Sequence, residues 1–488
     1  DYPVCTVLAA RYSLRSMIRL RHLFSIVSLG LLFACSTTAP NAVNLANTNS
    51  PEDFLALPDG TFLLQNARII DGMGSAAKPD LDIRIEDGLI AAIGPELPTE
   101  GVQTVLDLDG ATVMPGLVHV HDHIIYLSSP FRGYEFLLVD PHPFSIPKLY
   151  LSAGVTTVRS PGTDAPDLDI QLARMIADGQ AVGPKIYVTG NFINGPDVPM
   201  MRGAITEDDG RAFVKSQAAL GVGGVKVYSD LGAEALKGVI DEAADLGLWV
   251  AGDLGYGASC AEAARLGIDT IEHGFNSCLQ DLPALNKTDR PFKVEDHLQA
   301  IEDLIGVLVE EETVLVATPS GGAEANFSNE VRSMFAPFMR DAFDAVRVED
   351  GERSESGNPM YTLYMRDQIA QMHRMFVDAG GTLLIGADAM YIPLVPGYAN
   401  HDIMIDTANY FPAMDVIRMA TSDAAEFLGV GDQIGRVEVG YTADLLVVPG
   451  NPDEDMKALR ELSLVFRQGR AYDPMKLKQG AMGRIGLD

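Results

Sequence analysis

The sequence predicts an α/β chain: a (β/α)8 TIM-like barrel with a small β-sandwich domain built from both chain ends. Three observations carry this expectation. The middle of the chain alternates short apolar, β-branched runs with helical patterns about eight times, the count of a closed parallel barrel. Short β segments with turn signals lie both before and after that middle. Three of the nine histidines fall within residues 119–123, on what reads as the first barrel strand.

Taken in order, residues 1–53 read as a signal peptide with a lipobox and a flexible tether. Met17–His22 is a short basic region with Met17 as the expected start, and Leu23–Ala34 is an apolar run too short to span a bilayer comfortably. The run ends Leu32-Phe33-Ala34-Cys35-Ser36, which resembles the lipobox of bacterial lipoproteins and makes Cys35 the expected lipidation site. From Asn41 to about Asp53 the chain is rich in Asn, Thr, Ser and Pro. The expected location is the bacterial cell envelope, lipid-anchored and facing the periplasm.

Residues 54–113 plus 436–488 are assigned to the small β-sandwich domain. Phe62–Asp71 is one β run, Leu81–Glu86 alternates, and Asp87-Gly88 is a hairpin signal before Leu89–Gly94. Gly435–Pro449 and Ser463–Arg470 look similar.

The barrel is assigned to residues 114–435. After the histidine strand come Thr156–Arg159, Lys185–Thr189, Gly224–Tyr228, Leu248–Ala251, Thr270–His273, Val314–Ala317 and Thr382–Asp388, with helical patterns such as Gly232–Leu246 and Cys260–Leu266 between them. No Gly-x-Gly-x-x-Gly follows the first strand, which disfavours an open doubly wound sheet. The connections over 277–312 and 320–359 are longer than a barrel needs and are expected to form lids or rims.

Composition bounds the function. A hydrophobic fraction of 47% with 21% charged residues is ordinary for a globular protein, but the net charge of −31 is not. It leaves no basic stripe for phosphates, excluding nucleic acid as a partner, and it repels anionic lipid surfaces. Membrane contact is therefore expected only through the N-terminal lipid. The expected partner is a small-molecule substrate, and association into a homo-oligomer stays open. Of the four cysteines, Cys5 precedes the expected start and Cys35 is the lipid candidate. Cys260 and Cys278 either pair, as an oxidising compartment allows, or remain two buried thiols.

The chemistry sits at the strand ends. His119, His121 and His123 alternate, so a continuous strand would aim all three imidazoles to one face. A parallel barrel carries its active site at the C-terminal ends of its strands. Those ends supply His121 and His123, Lys226, Asp253, His273 and Asp388. A lysine on a buried strand is costly unless paired. Arg159, ending the second strand, can pair with a substrate carboxylate or form a rim salt bridge. Tyr228 and His401 are candidates to touch substrate, whereas His142, His297 and His373 receive no role.

Met114-Pro115-Gly116-Leu117-Val118-His119-Val120-His121-Asp122-His123, Ile271-Glu272-His273-Gly274 and Gly386-Ala387-Asp388 resemble the amidohydrolase superfamily. Ala420–Gly429 followed by Ile434–Leu445 is similar to that family's return from barrel to β domain. The resemblance covers roughly residues 60–475 and is closest to the imidazolonepropionase-like and Xaa-Pro dipeptidase-like (prolidase) branch. It implies a metal-dependent hydrolase that cleaves a C–N amide bond, in a dipeptide or N-acyl amino acid, by metal-activated hydroxide. It implies that His121, His123 and Asp388 hold one divalent ion, with zinc expected. Lys226, carboxylated by carbon dioxide, bridges to a second ion that His273 also binds, and Asp388 is the catalytic proton carrier.

Three positions depart from the family pattern. Asp253 stands where a histidine is usual; it either ligates the second ion or salt-bridges an unmodified Lys226, leaving a one-ion site. His119 replaces a frequent Asp or Asn, and Ala387 replaces a common Ser or Thr. The alternatives are an ester, lactone or phosphoester hydrolase on the same site, or a non-catalytic envelope binding protein on a degraded barrel.

Overall fold

A computed structural model describes residues 50–128, 138–196, 201–282, 292–318, 328–341, 343–344, 363–390 and 394–487. The expected signal peptide, Cys35 and nearly all of the tether lie outside the described residues. Asn49–Asp488 form one compact unit.

The N-terminal β segments become β1 (Phe62–Ile69), β2 (Lys78–Glu86), β3 (Leu89–Gly94), β4 (Thr104–Asp107) and β5 (Thr112–Pro115). The Asp87-Gly88 turn has positive φ at both residues (49° and 80°), the geometry that matches the twist of a two-residue hairpin, and Glu86 pairs with Leu89 across it. The chain's last strands join the same sheet, in the order β20–β19–β18–β5–β1–β2–β3 with β4 also on β1; these are β18 (Leu445–Val448), β19 (Leu464–Arg467) and β20 (Arg470–Tyr472). The sandwich is one sheet folded over its own core. Phe62 of β1 meets Phe466 of β19, three strands away, edge-on with ring centroids 5.4 Å apart, and Leu89 bridges back to Thr442.

Eight parallel positions build the barrel. They are β6 (Leu117–His119), β9 (Val155–Arg159), β10 (Lys185–Tyr187) continuing as β11 (Thr189–Asn194), β13 (Gly224–Val227), β14 (Trp249–Gly252), β15 (Thr270–Glu272), β16 (Val314–Ala317) and β17 (Leu383–Ile385). The small strand β12 (Arg202–Gly203) sits beside β11, and a hairpin of β7 (Ile125–Ser128) and β8 (Leu138–Pro141) follows the first barrel strand. The pairings run β6–β9–β10 and β11–β13–β14–β15–β16–β17. Two backbone bonds join the ends: Val120 N–H donates to the Ile385 carbonyl at 3.3 Å, and Asp388 N–H to the His121 carbonyl at 2.9 Å. Inside, Val118, Val120, Val316 and Leu384 pack on Ala424, Ala425 and Ile434, so the helix Ser422–Phe427 plugs the barrel floor. Val118 N–H donates to the Ala420 carbonyl there at 2.8 Å.

The outer helices follow from capping and amphipathicity. Ser259 and Glu262 form a reciprocal capping box that starts Cys260–Leu266, and Gly267, at φ +94°, ends it. Part of the expected lid over 277–312 is instead the helix Leu298–Glu310, whose Ile301, Leu304, Ile305 and Leu308 are buried as in any barrel helix. Most of 320–359 lies outside the described residues. Among the described residues, no helix is long and apolar enough to cross a membrane.

Candidate metal centre

β6 stops at His119, so strand alternation does not reach the next two histidines. His119 turns into a separate buried cluster, where Asn400 donates to its Nδ1 at 3.0 Å and Asp122 lies 3.4 Å away. The expectation that three imidazoles share one face is corrected: only His121 and His123 face the barrel mouth. Their Nε2 atoms lie 3.4 and 3.2 Å from Asp388 Oδ1. One ligand atom from each of the three residues falls within 4.8 Å of the others.

The backbone brings these groups together at a conformational cost. Asp388 has φ +47°, an uncommon region for a residue with a Cβ. Gly386 lets the last strand approach the first, since a Cβ there would fall 2.2 Å from the His121 Cβ. His121 Nδ1 donates to Glu272 Oε2 at 2.5 Å, which leaves its Nε2 lone pair facing the mouth. Glu272 also accepts from Arg159 Nη2 and Thr270 Oγ1, each at 2.6 Å.

The second group adjoins the first, with the His121 and His273 ring centroids 4.9 Å apart. His273 has φ +62°; its Nδ1 bonds Thr318 Oγ1 at 2.8 Å and its Nε2 lies 3.3 Å from Asp253 Oδ2. Lys226 is buried, with its ammonium 5.7 Å from the Tyr228 ring centre. It makes no ion pair or hydrogen bond with any described residue. Of the two alternatives for Asp253, the salt bridge to Lys226 is not seen among the described residues: Asp253 pairs with His273.

Charge and burial oppose each other across the site. Burial pushes the Asp388 carboxyl up, but the histidines around it, His121 first, hold it well below the usual carboxylate range. Burial likewise raises Asp253, and His273, Lys226 and His121 outweigh it to leave a value of about 2. Burial pushes the His273 imidazole down, yet Asp253 and Asp388 bring it above its ordinary value. His123 is lowered, because burial outweighs its contact with Asp388. Burial, then the charges of Asp253 and Asp388, raises the Tyr228 phenol.

Two candidates fall away from the substrate. Arg159 is fully buried inside the barrel, with Nε on the Val120 carbonyl at 2.5 Å, Nη1 on Thr270 at 3.2 Å and Nη2 on Glu272. It has no free face for a substrate carboxylate and is not on the rim. His401 donates from Nε2 to the Ala153 carbonyl at 2.8 Å, just before β9 and so at the opposite end of the barrel from the mouth. Tyr228 does sit at the mouth, its ring edge-on to Phe192 at 5.5 Å.

Glu272 is the partner sequence reasoning passed over. Its signal was legible: Thr270 and Glu272 place two polar groups on one face of a short strand. His373, Thr318 and Asn400 carried no comparable signal.

Seven donors thus converge at the barrel mouth: two imidazoles and a carboxylate within reach of one point, beside a third imidazole, a second carboxylate, a phenol and a buried amine. Residues 112–472 match the amidohydrolase family, and the chain belongs to that family. In fold it is similar to a Xaa-Pro dipeptidase with methionine bound in its active site, at 22% identity over 85% of this chain and 100% of that one, with a TM-score of 0.62. It is also similar to bottromycin amidohydrolase, at 21% identity over 88% and 91% of the two chains and TM-score 0.62. A third similar structure is the ochratoxinase of A. niger, at 18% identity over 85% and 95% and TM-score 0.58. Comparison with curated proteins finds no match.

Proposed function

We propose that this chain is a metal-dependent hydrolase that cleaves a C–N amide bond in a dipeptide or N-acyl amino acid. The observation that carries the reading is the convergence of His121, His123 and Asp388 within 4.8 Å beside a buried Lys226 that has no ion-pair partner among the described residues. The donor set fits divalent ions: neutral imidazoles and a carboxylate suit zinc. The buried amine fits too. A carbamate, formed when neutral Nζ adds to carbon dioxide and loses a proton, would replace a costly buried cation with an anionic metal ligand.

In this reading His121, His123 and Asp388 hold one ion; His273, Asp253 and the Lys226 carbamate hold the other. When bound, such ions lower the pKa of water enough to supply hydroxide near neutral pH and polarise a carbonyl. The protein's residues do the rest. Glu272, braced by Arg159, orients the His121 ring. Asp388 takes a proton from the attacking water and hands it to the leaving nitrogen, a task suited to its central place beside His121 and His123. Tyr228 borders the acyl or amine portion of the substrate.

The amide substrate class draws support from the names of the similar structures, a dipeptidase, an amidohydrolase and an ochratoxinase. We also propose export and lipid anchoring at Cys35. The Cys260–Cys278 disulfide supports an oxidising compartment, and mass spectrometry of the mature N-terminus tests the anchor. The decisive experiment pairs elemental analysis of the purified protein with turnover of dipeptide, N-acyl amino acid and lactone libraries. Two zinc equivalents and amide turnover are expected. Lactone turnover without amide turnover would overturn the substrate class, and a metal-free active enzyme would overturn the mechanism.

A further inference from the structure

The segments behind Lys226, Asp253 and His273 form one continuous tie. The turn after β13 accepts from the loop after β14: Gly257 N–H donates to the Ser229 carbonyl at 2.7 Å, and Ala258 N–H to the Leu231 carbonyl at 2.9 Å. The fit is tight, since a Cβ on Gly255 or Gly257 would fall 2.4 or 2.2 Å from Ser229 or Leu231 atoms. Two residues beyond Ala258, Cys260 is bonded to Cys278, and both are fully buried. Cys278 ends the short helix Phe275–Cys278 that begins directly after His273 and Gly274.

That turn is held away from its relaxed shape. His273 and Gly274 both have positive φ, 62° and 53°. On its other side, Phe275 N–H donates to His373 Nε2 at 3.2 Å, and Ser277 Oγ donates to the Glu272 carbonyl at 2.8 Å. A Cβ on Gly274 would lie 2.1 Å from His373 Nε2. The His121, His123 and Asp388 group is secured differently, by the bonds that close the barrel and by Glu272 with Arg159, none of which passes through the disulfide.

We propose that the Cys260–Cys278 disulfide is a positioning group for one half of the metal centre: it locks the His273 turn against the Asp253 loop, so binding of the second ion depends on it and binding of the first does not. The proposal rests on the two-ion reading above. Removing the bond frees the turn to relax toward right-handed φ, which swings the imidazole away from Asp253 and Lys226. The bonds to His373, Thr318 and the Glu272 carbonyl remain, but none of them ties the turn to the Asp253 loop.

The test is a Cys260→Ala/Cys278→Val variant, loaded with zinc, dialysed and counted by elemental analysis beside the wild type. Circular dichroism and a cooperative unfolding transition establish that it is folded. The wild type is expected to hold two equivalents and the variant about one, with the second ion's affinity lowered about tenfold or more and the first ion's affinity unchanged in chelator competition. A folded variant that keeps both ions at wild-type affinity overturns the proposal, as does one that weakens both equally. A wild type holding one equivalent refutes the two-ion reading itself and the proposal with it, a result distinct from an unchanged variant. Should the variant not fold, a Cys260→Val/Cys278→Ala variant, with the bulkier side chain on the other partner, gives the same count: loss of one equivalent supports the proposal and retention of both overturns it.

Discussion

At Asp388 a backbone held at φ +47° delivers a carboxylate 3.4 Å from His121 Nε2 and 3.2 Å from His123 Nε2. Asparagine there keeps the shape and removes both the charge and the proton acceptor. Asp388→Asn is therefore expected to lower kcat roughly 10²–10⁴-fold, measured on the best substrate of the amide screen; unchanged turnover would remove Asp388 from the chemistry. Glu272 acts one step further out. Glu272→Gln leaves the buried Arg159 guanidinium without its counter-charge and the His121 ring without its anionic brace. Metal affinity is expected to fall about 10–100-fold and stability by about 3 kcal/mol, read by chelator competition and urea unfolding. An unchanged metal affinity would mean that His121 needs no orienting partner.

Elements meet at the seam between β6 and β17. The seam is only as wide as Gly386 permits, and Gly386→Ala places a methyl 2.2 Å from the His121 Cβ. Neither strand can retreat without losing a closing bond, so a loss of roughly 2 kcal/mol or more is expected together with weakened metal binding. Full retention of both would show that the seam is slack. The helix Tyr398–Thr407 carries a different prediction. Burial, with help from Lys478 and Arg460, pushes the His401 imidazole down to about 3 from an ordinary 6.5. The unfolded chain binds this proton below about pH 6.5 and the folded one does not, so the contribution to stability is lost as pH falls through that window. Between pH 6.5 and about 4.5 the wild type is expected to lose about 2–3 kcal/mol from this group. His401→Gln keeps a donor for the Ala153 carbonyl and should flatten that slope in urea titrations at both pH values. An equally steep variant would place the acid sensitivity elsewhere.

Across the whole molecule, a net charge of −31 on 488 residues works against compaction. Raising salt from about 10 mM to about 150 mM shortens the screening length from roughly 30 to 8 Å, and the unfolding midpoint of the metal-free protein is expected to rise. A falling midpoint would show that the ion pairs on its surface, such as Arg332 with Asp344 and Arg211 with Asp241, outweigh the self-repulsion.

Much of this architecture was legible in the chain itself. Parallel strands buried on both faces must be apolar, so their count and order stand out as short β-branched runs. Ionisable residues at the ends of such runs are costly without a task, and that singled out His121, His123, Lys226, His273 and Asp388. The small sheet was legible from its hairpin at Asp87-Gly88. What the chain did not reveal depends on distance in sequence or on where alternation breaks. His119 parts from its neighbours because the strand ends there, and no residue type announces that end. Arg159 finds Glu272 from 113 positions away, and Asp253 chooses His273 over Lys226, although all are ionisable strand-end residues. Local sequence determines which groups are worth bringing to the mouth, because propensity and burial act on near neighbours. Which of them touch is decided by closure of the barrel, a long-range event whose partners are set by geometry.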